Sequence, residues 1–175
     1  MSYPISAPQA PGYGTWPVAS DPGDRAVRAD IAAAVLMFLG GAAGIAQLWV
    51  PWARGVLGSS TAYTGWDLFQ GLKVSIRGGA GFSTVLGAYS VLAVVVLGVA
   101  LVLLGVLTLL PLDHRPPGIV AVVAGLVGVL CAVWWVFWHL GAGDVGTMFS
   151  AGWIGWYLFL VSGLLGLIGA IKALV

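Results

Sequence analysis

The chain has 175 residues, of which 60% are hydrophobic and only 7% carry a charged side chain. A soluble globular domain has about 25% charged residues, so this composition excludes an ordinary soluble enzyme. The net charge of +1 is too small for a nucleic-acid-binding surface, which needs a basic stripe to neutralise phosphates. The single cysteine, Cys131, excludes an intrachain disulfide framework and a cysteine-ligated zinc site. The sequence therefore predicts a multi-pass membrane protein.

The first segment, residues 1–24, contains five of the nine prolines, separated by Gly, Ser and Gln. Such a segment cannot bury enough apolar surface to offset the entropy of its chain, so it is predicted to be a disordered tail. Residues 25–175 are then the membrane domain, and Asp30 or a neighbouring residue is the predicted cap of its first helix.

Four apolar segments follow, each long enough for a bilayer core that needs about 20 residues per helix. Their predicted bounds are about 31–50, 84–111, 118–140 and 153–173. Backbone polar groups in hydrocarbon must be paired within the segment, so each span is predicted to be a helix despite many Val and Ile residues. The predicted fold class is an all-α, four-transmembrane-helix bundle. An alternative for the first segment is a cleaved signal peptide, which would leave three spans.

The loop at 51–83 is the one long connection, and it contains a helix signal. Thr64 is placed as an N-cap with Asp67 in the first turn. The sequence predicts a short interfacial helix from Gly65 to about Val74 that turns Trp66, Phe69 and Leu72 inward and Lys73 to water. The alternation of apolar and polar residues over 72–77 is instead typical of a half-buried strand.

Basic residues indicate the orientation, because they collect on the cytoplasmic side of short loops. One side has four, Arg25, Arg28, Arg115 and Lys172; the other has three, Arg54, Lys73 and Arg77. This count favours a cell-membrane protein with both termini in the cytoplasm and the long loop outside.

Aromatic residues show a second asymmetry. The side with the long loop receives eight of the nine tryptophans, and His139 ends the third span on the same side. We call these nine residues the tryptophan ledge: Trp49, Trp52, Trp66, Trp134, Trp135, Trp138, His139, Trp153 and Trp156. The rings anchor the loop on the helix ends, form a recognition surface for lipid, glycan or another membrane protein, or do both. His139 is either an interfacial side chain bonded to backbone or water, or a pH-sensitive ligand contact.

Small residues recur at four-residue spacing inside the spans, which lets helix backbones approach closely in lipid. The predicted packing positions are Gly40, Gly44, Gly125, Gly128, Ser162, Gly166 and Ala170. They serve packing within the bundle or against a partner protein. Gln47, near the end of the first span, is expected to hydrogen-bond across helices.

Reactive groups are sparse. No charged residue lies in the middle of a span, which argues against an ion-coupled transporter. The two histidines fall on opposite sides of the predicted membrane, so they cannot share a metal. Asp67 is expected to be a helix cap or an ion-pair partner, and not a catalytic acid. No catalytic residue, cofactor or metal site is predicted.

The proline-rich tail, the four spans and a first loop that begins Leu48-Trp49-Val50-Pro51-Trp52 resemble small four-span membrane proteins of actinobacterial envelopes. This resemblance is one of architecture and implies no catalytic residue. We expect a non-enzymatic accessory or assembly subunit of a cell-envelope membrane complex, in contact with the lipid bilayer and a membrane-protein partner. The alternative is a small-molecule or lipid-binding transport protein whose cavity opens at the tryptophan ledge.

Overall fold

The structure, a computed structural model, describes residues 30–54, 62–110, 115–139 and 153–175, with the backbone alone at 53–54 and 138–139. The predicted tail at 1–24 lies outside the described residues. The elements are α1 (Ile31–Ala46), β1 (Pro51–Arg54), β2 (Ala62–Thr64), α2 (Gly65–Arg77), α3 (Phe82–Thr108), α4 (Arg115–Trp134) and α5 (Ile154–Leu174). A π-helical turn, Trp135–His139, continues α4.

Three helices in the described part of the chain are long and apolar enough to cross a membrane: α3, α4 with the start of its π-helical turn, and α5. Their bounds differ from the predicted spans by up to three residues at most ends. Helix α4 begins at Arg115 and not at 118, because Pro116 and Pro117 are tolerated in a first turn, where backbone N–H groups have no partner. Helix α1 is apolar but has only 16 residues, or about 24 Å.

The four long helices form a ring in which α1 and α4 each pack against both α3 and α5. An ion pair between Lys172 Nζ and Asp30 Oδ2, 3.0 Å long, joins the end of α5 to the start of α1. Asp30 is also the N-cap of α1, as predicted, and accepts a hydrogen bond from the Ala33 amide. We call this end of the bundle the ion-pair end, and the end that carries β1, β2 and α2 the loop end.

Helices approach most closely where glycine faces backbone. A methyl group at Gly40 would lie 2.6 Å from the Gly166 nitrogen, and one at Gly163 would lie 2.6 Å from the Val129 nitrogen. A methyl group at Gly98 would lie 2.7 Å from the Gly41 carbonyl oxygen. Distances this short leave no room for a side chain, so the α1–α5, α4–α5 and α1–α3 contacts require small residues.

Helix α2 confirms the predicted helix start. Thr64 accepts a hydrogen bond from the Asp67 amide, and the Asp67 carboxylate accepts one from the Thr64 amide, which is a complete capping box. The helix continues to Arg77, three residues beyond its predicted end, so the strand interpretation of residues 72–77 is wrong. A hairpin that the sequence did not predict precedes α2, with β1 and β2 antiparallel and Ala53 opposite Tyr63.

Candidate functional site

The centre of the tryptophan ledge is a buried aromatic cluster at the loop end. We call Trp52, Trp135, Trp156 and Phe159 the aromatic cluster; each is at most 3% exposed. The Trp52 ring lies 4.9 Å from the Phe159 ring, 5.7 Å from Trp156 and 5.8 Å from Trp135, measured between centroids. One ring from the hairpin therefore joins rings from α5 and from the end of α4.

Hydrogen bonds fix two of these rings. The Trp52 Nε1–H donates to the Gln47 carbonyl oxygen at 2.7 Å. The Trp135 Nε1–H donates to the Ser90 hydroxyl at 2.6 Å and to the Gly87 carbonyl oxygen at 3.2 Å. A buried donor with no acceptor would cost about 1–3 kcal/mol, so these acceptors explain how the indoles of Trp52 and Trp135 are tolerated in the interior.

Gln47 confirms its predicted role between helices. Its Nε2 donates to the Val91 carbonyl oxygen on α3 at 3.2 Å, and its side chain is fully buried. The backbone holds the same region together, since the Trp66 amide donates to the Leu48 carbonyl oxygen and the Trp153 amide to that of Trp52, both at 2.8 Å. The starts of α2 and α5 are thus both tied to the segment that follows α1.

The remaining ledge residues do not share this buried environment. Trp49 is 64% exposed and Trp66 is 44% exposed, while Trp134 and Trp153 are half-buried. The side chains of Trp138 and His139 lie outside the described residues. The ledge is therefore two structures: an interior aromatic cluster and separate aromatic groups on the surface.

Trp66 corrects a prediction about α2. It is predicted to turn inward together with Phe69 and Leu72. Leu72 does pack, with Leu68, against the buried core that contains the aromatic cluster, but Trp66 is 44% exposed. The reason is Gly65, the buried residue of α2: a methyl group there would meet the Gln47 carbonyl oxygen at 2.8 Å. That contact fixes the rotation of the helix, and Trp66, one position further, points to the side.

The exposed flank of α2 carries aromatic and cationic groups. The Trp66 and Phe69 ring centroids lie 5.6 Å apart, and Lys73 and Arg77 are exposed. Asp67, the acid of this helix, is occupied by its capping box, and the hydrogen bonds from the Thr64 amide and hydroxyl hold the pKa of its carboxyl below the usual range.

Open space in the bundle lies mainly at its surface. An interior gap lined by Gly40, Gly98 and Gly128, among others, has about 10 Å³, room for roughly one water molecule. A wholly apolar groove of about 300 Å³ lies between α1 and α3, with Ala34 and Gly105 among its lining residues. A second groove of about 230 Å³ lies between α3 and α4.

The predicted packing positions lie along helix contacts. A methyl group at Gly40 or at Gly125 would meet the backbone of α5, and one at Gly128 would meet the Gly163 Cα at 3.1 Å. The lining residues of the interior gap include Gly40, Gly128 and Ser162. Gly44, Gly166 and Ala170 are also buried.

Two residues of the site were missed by sequence reasoning. Phe159 stacks at 6.0 Å on Trp156, and its position one turn after Trp156 was an available signal. Ser90 had no such signal, because its role depends on Trp135, 45 residues away.

Among the described residues, no three His, Cys, Asp or Glu side chains are placed to hold a metal ion. Comparisons with protein-family models, curated proteins and solved structures found no match.

Proposed function

We propose that the chain is a non-enzymatic accessory or assembly subunit of a larger membrane complex in the cell envelope. The observation that carries the proposal is the groove between α1 and α3, which is apolar throughout and lies on the outside of the bundle. Its small residues, Ala34 and Gly105, lie beside large exposed ones, with Phe38 50% and Leu109 47% exposed. Small residues beside larger ones are the pattern by which membrane helices pack.

The partner that fits this groove is a transmembrane helix of another protein. A groove of about 300 Å³ accepts several apolar side chains from one helix face. The interior is consistent with the non-enzymatic part of the proposal. The buried hydroxyl groups of Ser90, Thr108 and Ser162 donate to carbonyl oxygens three residues earlier in their own helices. Their hydroxyl groups are thereby used within the fold.

The proposal includes α1 as a fourth membrane span. Helix α1 and the segment after it run antiparallel along α5 for nearly all of its length. A methyl group at Gly169 would lie 2.9 Å from the Ala33 carbonyl oxygen, and one at Gly155 would lie 2.5 Å from that of Val50. Because α5 is long and apolar enough to cross a membrane, a segment that matches its length crosses the same depth.

The proposed orientation places both termini in the cytoplasm and α2 in the opposite interface. The ion-pair end carries Arg115 and Lys172, and cytoplasmic loops are enriched in such residues. Helix α2 has one face on the bundle and one face exposed, as an interfacial helix would.

Photo-crosslinking in native membranes tests the partner. A benzoylphenylalanine in place of Phe38, within the groove, should give one discrete protein adduct. The matched control is the same group in place of Ile168, which is 53% exposed on α5 and does not line the groove; it should give no such adduct. Failure of the Phe38 derivative to yield any protein adduct would contradict the proposal.

A second candidate, a lipid- or small-molecule-binding protein, is favoured by the groove between α3 and α4. This groove is almost wholly apolar, with Leu130, Cys131 and Trp134 among its lining residues. The expected cavity beside Trp135 is a weaker basis, because that ring is 2% exposed and fills space in the aromatic cluster. Benzoylphenylalanine in place of Leu130, which lines this groove and is 57% exposed, should give a discrete lipid adduct that the Ile168 control does not give if this candidate is correct.

A further inference from the structure

The exposed flank of α2 carries an ordered row of side chains. Positions 66, 70, 73 and 77 follow helical spacing and therefore lie on one side of the helix. The row begins with Trp66, continues through Gln70 and ends with Lys73 and Arg77. We call these four residues the α2 row.

The two cations of the row are free to meet a ligand. Neither Lys73 nor Arg77 has an ion-pair partner among the described residues, in which Lys172 and Asp30 form the one ion pair. The acid on α2, Asp67, lies on the other flank and is held by Thr64. The row is therefore cationic with no opposing carboxylate of its own helix.

The cationic end of the row also lies a few residues before the start of a helix that is long and apolar enough to cross a membrane. Helix α2 ends at Arg77 and α3, which is long and apolar enough to cross a membrane, begins at Phe82. Phe82 is 76% exposed and Val74 is 69% exposed. Apolar and aromatic groups beside cations at this boundary are the features of a surface that meets phospholipid headgroups.

We infer that the α2 row binds the headgroup of an anionic phospholipid, with the phosphate at Lys73 and Arg77 and with Trp66 at the level of the glycerol backbone. The charge of the row is complementary to a lipid phosphate, and its aromatic end suits the boundary between headgroups and acyl chains. This inference rests on the proposed interfacial position of α2 but not on the groove between α1 and α3, so its failure would leave the proposed partner site untouched.

Native mass spectrometry of the purified full chain tests it. The protein in neutral detergent is titrated with phosphatidylglycerol and, separately, with phosphatidylcholine of the same acyl chains. Wild type should bind phosphatidylglycerol more tightly. The double variant Lys73→Gln/Arg77→Gln should lose roughly thirtyfold of that preference, since each cation near an anionic lipid surface contributes a several-fold effect.

Two control variants separate charge from folding. Lys172→Gln removes one cation at the ion-pair end and should leave the preference unchanged. Lys73→Arg/Arg77→Lys keeps both charges and should retain it. Equal binding of the two lipids by wild type, an unchanged preference in the Gln double variant, or an equal loss in Lys172→Gln would overturn the inference.

Discussion

A methyl group at Gly40 would collide with the backbone of another helix and not with a side chain that can move aside. It would lie 2.6 Å from the Gly166 nitrogen and 2.8 Å from the Ser162 carbonyl oxygen. We predict that Gly40→Ala lowers the free energy of unfolding by about 1–3 kcal/mol, the usual cost of overpacking. Thermal unfolding in detergent measures this loss as a lower midpoint.

The matched control is Gly71→Ala, at a position with nothing within 4 Å. Alanine is a better helix former than glycine by about 1 kcal/mol, so this variant should unfold at the same or a higher temperature. Equal destabilisation by the two substitutions would show that the effect of Gly40→Ala is not one of helix contact.

Thr64 is predicted to stabilise the first turn of α2. Thr64→Ala removes the oxygen that accepts from the Asp67 amide, at a cost of about 1 kcal/mol for a lost N-cap. Hydrogen exchange of that amide should become about fivefold faster. Ser83→Ala is the control, because Ser83 lies in the first turn of α3, where no side-chain cap bond exists.

Asp67 gives this cap a pH dependence. Its pKa in the folded protein is lowered from 3.8, so its contribution to stability is fully present above about 3.8 and is lost as the pH falls through the lower folded value. We predict that the amides in the first turn of α2 exchange hydrogen faster in the Asp67→Asn variant than in wild type at neutral pH. The ratio of the variant rate to the wild-type rate should approach one in strong acid. A ratio independent of pH would contradict this.

At the scale of the element, attachment of α2 is predicted to depend on its leucines. Leu68 and Leu72 pack against the buried core that contains the aromatic cluster, whereas Trp66 is 44% exposed. The variant Leu68→Ala/Leu72→Ala should therefore loosen the helix and speed tryptic cleavage after Lys73 and Arg77 several-fold. Trp66→Ala should change the cleavage rate much less. A larger increase in cleavage rate for Trp66→Ala than for the double leucine variant would show that Trp66 attaches the helix and faces inward.

The start of α2 was predictable and its rotation was not. The Thr64–Asp67 pair is a local signal, so the capping box was visible in the sequence. The packed side depends on Gly65 meeting Gln47, a contact between distant elements that hydrophobicity does not encode. The alternation over 72–77 left a strand open as the alternative because Leu72 and Ile76, four residues apart, fit a helix face as well as a strand face.

The hairpin was missed for a related reason. Strands β1 and β2 have four and three residues, too few for a clear alternation, and they pair with an irregular register between Pro51 and Ala53. Their position follows from Trp52 entering the aromatic cluster, a tertiary contact. The three long helices were predictable because composition and length alone define them.

At the scale of the whole molecule, the orientation is testable with single cysteines. In a Cys131→Ala background, Ser75→Cys on exposed α2 should react with an impermeant thiol reagent on intact cells. Val175→Cys, at the ion-pair end, should react only after the cells are lysed, because both termini are predicted to be cytoplasmic. Reaction of Val175→Cys alone on intact cells would invert the orientation.

The ion pair between Asp30 and Lys172 joins the start of α1 to the end of α5, so this contact can form only after nearly the whole chain has been made. Helix α1 is the first described helix to leave the ribosome and α5 is the last, yet each packs on the other along most of its length. Synthesis therefore exposes the glycine face of α1 until residues 154–174 have been made, and contacts of such wide sequence separation form slowly. A chain that stops before Trp153 should retain the α1–α3 contact but leave Gly40 without its α5 contact and Asp30 without its ion-pair partner. We expect membrane proteases to degrade such a chain faster than the full-length protein.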